Sequence, residues 1–210
     1  KSGCMGNVIG FETINPKNAR DLRKAPNFMR KDFSHYSKEV STLRHFGLQT
    51  WAAFTLGYDH DTVDSILSTV DYAIEQKFCF AAFNILVPYP NTPMYKKLQE
   101  EGRLLYDGKW WLHPEYRFNH CTFMPKGMTP DQLTDVSFEC KKRWNSWKSI
   151  LTRYLDPKTH MRNLTKTAIY WAYNPVYSKE NFSKQDMYFG VHNHYKPTGE
   201  FIHRNDEILL

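Results

Sequence analysis

Glu12 closes the apolar run of "NVIGFETINP" (residues 7–16), an acidic side chain where a buried strand should stop. A carboxylate there either caps the following turn and pairs with Lys17 or Arg20, or faces a ligand as hydrogen-bond acceptor and counter-charge. Thr13 adds a hydroxyl beside it. Asn84 interrupts a later apolar run, and an amide buried without partners costs about 1–3 kcal/mol, so it must bond to a neighbouring strand or to something in a cavity. Gly57 reads as a turn glycine or a point of close backbone approach. Pro88 and Tyr89 end the same run as Asn84, and Tyr89 reads first as a packing residue.

Other residue types that carry chemistry occur here in weaker patterns. His113 and His120, with Trp110, Trp111 and Tyr116, either line a mouth or form a local aromatic cluster that holds a long loop down; the second is the simpler reading. In "HNH" (residues 192–194) neighbouring side chains of an extended chain point to opposite faces, so only the two histidines share a side. Two such ligands without a nearby acid or cysteine make no metal centre, and no metal site is expected. Cys4, Cys79, Cys121 and Cys140 lie far apart with no CxxC pair, which gives neither a zinc knuckle nor an iron–sulfur ligand set, and reduced thiols of a cytoplasmic protein are expected. No serine sits in a nucleophile elbow, and no glycine-rich phosphate loop follows an apolar run.

The 210 residues suffice for one sizeable domain, or one with an appendage. With 41% hydrophobic residues, among them 14 Phe, 13 Tyr and 6 Trp, the chain has a core to bury and is not generally disordered. Its net charge of +6 is spread in ones and twos, as at Lys96-Lys97 and Lys141-Lys142-Arg143, rather than in the stripe that nucleic acid would require. Nucleic acid is therefore not the expected partner. No apolar run approaches the roughly 18 residues of a membrane span. The start, "KSGCMGN", lacks the apolar segment of a signal peptide and an initiator Met, so the chain is expected to begin within something longer.

To position these residues, the pattern supplies strands over 6–13, 48–57 and 80–90, alternating with helices over 35–45 and after residue 61. Gly47 closes the first helix; Asp61 or Thr62 caps the second, which carries Ile66, Leu67, Val70 and Ala73-Ile74 on one face. Alternation at this spacing predicts a parallel sheet, and near-continuous apolar runs predict strands covered on both faces. Ligands of such sheets sit beyond the carboxyl ends of the strands, so Glu12, Gly57 and Pro88 should aim into one hollow. A short helix from Pro93 to about residue 101 and an aromatic loop over 106–123 come next. Thr129 and Pro130 then open a helix expected to run to about 155 with Phe138, Trp144, Trp147 and Ile150-Leu151 inward. Another helix spans about 161–173, before a polar, mostly irregular tail. The division is 1–105, 106–178 and 179–210.

"GCMGNVIGFETINP", "FGLQTWAAFTLGYDHDT", "FNILVPYPNTPMYKKLQEEGRLL", "FMPKGMTPDQL" and a helix ending "WNSWKSILTRYL" come in one order. Over about residues 3–155 the chain thereby resembles the C-terminal part of cobalamin-binding-type radical S-adenosylmethionine proteins, and "KENFSKQDMYFG" resembles the tail that often follows. The resemblance implies an α/β fold: the C-terminal half of a partial (β/α)6 TIM-like barrel, three parallel strands with helices, then C-terminal accessory helices. It places Glu12 and Thr13 against the methionyl and ribose parts of S-adenosylmethionine, with Gly57, Pro88 and Tyr89 at the adenine. With Asn84 these form the candidate cofactor-binding set, and no catalytic residue is assigned. The CxxxCxxC loop that holds the family's 4Fe-4S cluster does not occur in this sequence, nor do its first three strands or a cobalamin domain. Asn91 stands where the family commonly has Gly, and Asn tolerates left-handed backbone angles; His60 stands where an acid is common.

The resemblance also implies a partner: an N-terminal half, on the same gene or a separate chain, that carries the cluster and in many relatives cobalamin. This chain would supply part of the S-adenosylmethionine pocket and the substrate-side cover for deoxyadenosyl-radical or methyl-transfer chemistry on a small molecule, and would be silent alone. A half-barrel interaction module, open along its first strand, is the alternative; a basic nucleic-acid-binding module ranks third.

Overall fold

The computed structural model describes residues 3–22 and 34–188; the "HNH" motif lies outside the described residues. Strands β1 (Gly6–Glu12), β2 (Gln49–Leu56) and β3 (Phe80–Ile85) form one parallel sheet in that order. Parallel neighbours need crossover connections. These are α1 (Pro16–Asp21) and α2 (Ser34–His45) between β1 and β2, and α3 (Val63–Glu75) between β2 and β3. Then come α4 (Pro93–Glu100), two 3-10 turns at Tyr106–Gly108 and Trp110–Leu112, α5 (Pro130–Asn145), α6 (Trp147–Tyr154) and α7 (Leu164–Ser183).

The core lies on one face of the sheet. Ala52, Phe54, Leu56, Ala81, Phe83 and Ile85 pack against Ile66, Val70 and Ala73 of α3 and Leu133, Val136, Cys140 and Trp144 of α5, all buried. Alternate residues face the other way and are less covered: Trp51 is 41% exposed, and Asn84 is exposed. Among the described residues the strands are thus not buried on both faces as their apolar runs predict, because α3 and α5 cover one side only and the other meets mainly Tyr173 and Tyr177 of α7, whose rings pack on Phe80, that of Tyr177 also on Trp51.

The two sheet edges differ. Along β3, side chains satisfy the outward carbonyls: Arg153 donates to Phe78 and Cys79 O at 3.3 and 3.1 Å, Tyr177 to Ala81 O at 3.1 Å and Ser137 to Phe83 O at 3.4 Å. No described strand pairs with the far side of β1, where Val8 is 70% exposed.

Several expected boundaries shift. β3 ends at Ile85, five residues before Pro90. One long helix becomes two, because Ser146 takes an extended conformation and caps α6 by accepting a bond from Ser149 N. The break turns Trp147 and Leu151 outward, 66% and 51% exposed, and leaves Trp144 and Ile150 inside. Past residue 173, α7 continues through Pro175 to Ser183. Thr62 rather than Asp61 caps α3, in a reciprocal box with Ser65.

Candidate functional site

Three polar side chains cross the open face of the sheet at its carboxyl end, one per strand. Thr55 Oγ1 donates to Glu12 Oε2 at 2.8 Å, and Thr55 is the register partner of Asn84 on β3. Register partners project to the same side, which sets Thr55 beside Asn84, and the hydrogen bond brings Glu12 to them, so the three make a transverse row. A bulge between Gly10 and Glu12 produces this arrangement: it leaves Phe11 on the packed face, stacked 5.6 Å from Phe54, and lets Glu12 turn to the open one. Glu12 has φ +64°, a left-handed conformation that costs a residue with a Cβ on the order of 1 kcal/mol. Gly10 makes room for its carboxylate, since a Cβ there would lie 2.7 Å from Glu12 Oε1.

Behind the row, the turns after β1 and β2 are tied together. Asp61 is buried and accepts bonds from Gly57 N and Tyr58 N, at 2.9 and 3.0 Å, and from Asn18 Nδ2 at 2.6 Å. Asn18 Oδ1 in turn accepts from His60 N at 3.0 Å, and Asn15 donates to His60 O at 2.9 Å. Burial raises the Asp61 pKa, against the pull of those hydrogen bonds. Burial likewise pushes the Tyr58 hydroxyl up to about 12, opposed by Thr55 and reinforced by Glu12 and Asp61. Nearby, burial acts to raise Asp59, but bonds from Lys97, Lys126 and Arg103 outweigh it and hold the carboxyl well below its ordinary value.

The six residues singled out from sequence do not share one cavity. Gly57 lines a cleft of about 230 Å³ with Asn18, Tyr58, Asp59, Leu86 and Lys97. Its φ of +98° suits glycine, and a Cβ would sit 2.5 Å from Leu133 Cδ2 and 3.3 Å from Phe123 Cζ, so core packing here requires the missing side chain. Asn84 lines a second recess, on the open face. Thr13 is buried and its hydroxyl accepts from Asn15 N at 3.0 Å, a turn-forming bond. Pro88 is buried, whereas Tyr89 is 61% exposed with its ring 6.3 Å from Trp110. The loop aromatics pack on one another, Trp110 on Tyr116 at 5.0 Å and Tyr106 on His113 at 4.6 Å, as the simpler reading of that loop requires. Asn91 has φ +65°, a left-handed angle that asparagine tolerates. His60 bonds to Asp21 at 2.9 Å.

Thr55 escaped the sequence reading because a threonine inside "WAAFTLG" looks like an ordinary β-branched strand residue; only the register and the hydrogen bond show that it lies between Glu12 and Asn84. Cys79, Cys121 and Cys140 are buried, which pushes each thiol up to about 12. Among the described residues no three His, Cys, Asp or Glu converge.

No protein-family description matches the chain. It is similar, at low identity, to enzymes that methylate. Over 153 residues it is 26% identical to the bacteriochlorophyllide d C-12(1)-methyltransferase of Chlorobaculum tepidum, covering 73% of this chain and 31% of that protein. The hopanoid C-2 methylase of Rhodopseudomonas palustris is 24% identical over 146 residues, 70% of this chain and 25% of its own length. The bacteriochlorophyllide d C-8(2)-methyltransferase of C. tepidum is 25% identical over 164 residues, 78% and 35% respectively. The chain thus spans between a quarter and about a third of these curated relatives. No helix among the described residues is long and apolar enough to cross a membrane.

Proposed function

We propose that this chain forms the C-terminal half of the partial (β/α)6 barrel of a radical S-adenosylmethionine enzyme, of the kind that methylates carbon, and that Glu12, Thr55 and Asn84 line its S-adenosylmethionine pocket. The observation that carries this reading is the transverse polar row at the carboxyl end of three parallel strands. Parallel α/β sheets bind ligands at that end. The similarity to methylating enzymes points the same way.

The donor set fits the group. S-adenosylmethionine carries an ammonium, a carboxylate and ribose hydroxyls; a carboxylate at Glu12 takes either of the groups that donate hydrogen bonds, and the amide of Asn84 takes any of the three. Bound there, it supplies a transferable methyl group or a carbon-centred radical. The Thr55 hydrogen bond orients the Glu12 carboxylate through Oε2. Gly57, Pro88 and Tyr89 form the adenine side, and Thr13 shapes the turn after Glu12. The 4Fe-4S cluster, and cobalamin where it is used, belong to a preceding segment, whose last strand pairs with the open edge of β1. The accessory helices α5 to α7 close the other edge and cover the small-molecule substrate. The open edge also suits a non-catalytic module, which a partner without cluster cysteines would reveal.

The test begins with the coding region upstream of Lys1: a CxxxCxxC within one barrel's length is the expected finding. In protein that includes it, Glu12→Gln should weaken S-adenosylmethionine binding about tenfold, the effect of losing one charge-assisted hydrogen bond. The 210-residue chain reconstituted anaerobically with iron and sulfide should bind no stoichiometric cluster and leave S-adenosylmethionine uncleaved. Cleavage by that chain alone would refute the reading.

A further inference from the structure

On the open face of the sheet, beside the row, lies a recess of about 290 Å³ whose walls include Trp51, Asn84, Asn119, Lys141, Tyr177 and Asn181. Lys141 stands one turn after Ser137, the residue that α5 bonds to the β3 edge, and is only 5% exposed. Its ammonium makes no hydrogen bond or ion pair with any described residue, although it is a three-proton donor on a side chain that is almost wholly covered. A donor so placed can bond an acceptor that enters the recess.

Charge and shape specify the acceptor. The other lysine of the recess, Lys184, is bonded to Glu180, which also lines it, so these two cancel. Asp186, the remaining carboxylate near Lys141, is bonded to His120 at 2.5 Å. Among the described residues Lys141 is thus the cation of the recess to which no carboxylate is bonded, which suits an anionic acceptor. Three asparagine amides supply further hydrogen bonds, and the rings of Trp51 and Tyr177 supply a flat apolar wall. The volume is at the lower end of the range for small-molecule sites.

We propose that this recess binds the carboxylate of an aromatic or polycyclic acid, with Lys141 as its counter-ion and Asn84 shared between this site and the cofactor row. The inference rests on the proposed function only in taking that acid to be the substrate. Burial lowers the Lys141 pKa to about 8, with Cys140 and Asp186 acting in the opposite direction, so the amine is mostly charged at neutral pH and a bound carboxylate would hold it so.

The probe is 1-naphthoate, titrated calorimetrically into the 210-residue chain, with 1-naphthalenemethanol and inorganic phosphate as comparators. Naphthoate should bind at least tenfold more tightly than the alcohol, lose that advantage in Lys141→Met and keep most of it in Lys141→Arg, while phosphate fails to compete. In parallel, lysines are reductively methylated with carbon-13: the Lys141 signal should titrate at lower pH than the rest and move to higher pH with naphthoate. That readout holds even if Lys141→Met does not fold. Equal affinity for acid and alcohol, unchanged binding in Lys141→Met, competition by phosphate, or a Lys141 signal indifferent to naphthoate would each overturn the proposal. Because no cluster is involved, naphthoate binding stands or falls apart from the upstream CxxxCxxC.

Discussion

At position 57 a left-handed backbone and the buried Leu133 side chain together exclude any residue larger than glycine. Gly57→Ala should destabilise the chain by about 1–3 kcal/mol, read as a lower urea midpoint at unchanged slope. Asn91→Gly, at a similarly left-handed but exposed position, should stay within about 0.5 kcal/mol of the parent. A second residue sets a pH dependence. His160 is 1% exposed; its Nε2–H donates to Lys77 O at 2.8 Å and Nδ1 accepts from Gln49 at 3.3 Å. Burial lowers its pKa from the ordinary 6.5 to about 4, with Arg153 and Arg44 adding to the shift and Lys77 O and Asp156 opposing it. Between those values the unfolded chain binds the extra proton, so this contribution is complete above about pH 6.5 and is lost as pH falls toward 4, on the order of 3 kcal/mol in all. Urea unfolding at pH 7 and 4.5 should show that loss in the parent and a smaller one in His160→Gln. Glu12 and Asn84 stood out in the sequence because a polar group inside an apolar run demands an explanation; Thr55 and His160 did not, since their partners lie 43 and 111 residues away.

Among the elements, α6 and α7 decide where the sheet ends. Arg153, fully buried, lies 3.6 Å from the centre of the Trp144 ring and donates to the carbonyls of Phe78, Cys79 and Trp144, to Ser149 Oγ and to Asn174 Oδ1. Its five donors in a rigid fork serve carbonyls rather than a carboxylate. Arg153→Ala should cost about 3–5 kcal/mol in thermal or urea unfolding, and Arg153→Lys should recover little, because one ammonium cannot reach the same set. Tyr177→Phe, which leaves Ala81 O without its 3.1 Å partner, should cost about 1 kcal/mol. The strands, α3 and the start of α5 were legible from apolar periodicity and capping residues. The break at Ser146 was not: "RWNSWKSIL" keeps a helical apolar spacing across it, and only the docking of Arg153 under α7 shows why the chain turns there.

At the scale of the molecule, the edges of the sheet are opposite in character, one sealed by side chains and the other left, among the described residues, with a row of outward backbone groups on β1. By alternation from the bond of Gln49 N to Met5 O, the amide of Val8 points outward. Val8→Pro should therefore leave the melting temperature of this chain within a few degrees of the parent, yet abolish co-purification with a polypeptide that carries the preceding strands. Unchanged co-purification would show that β1 is not the docking edge. The sequence by itself determined the α/β class, the order of strands and helices and the acid at the end of β1, because periodicity, capping and interrupted apolar runs are local signals. The tertiary structure alone decided which face is packed, which edge is sealed, that Glu12, Thr55 and Asn84 lie in one row, and that the Lys141 side chain is almost wholly covered with no carboxylate bonded to it among the described residues, because each depends on strand register and helix docking between residues far apart in the chain.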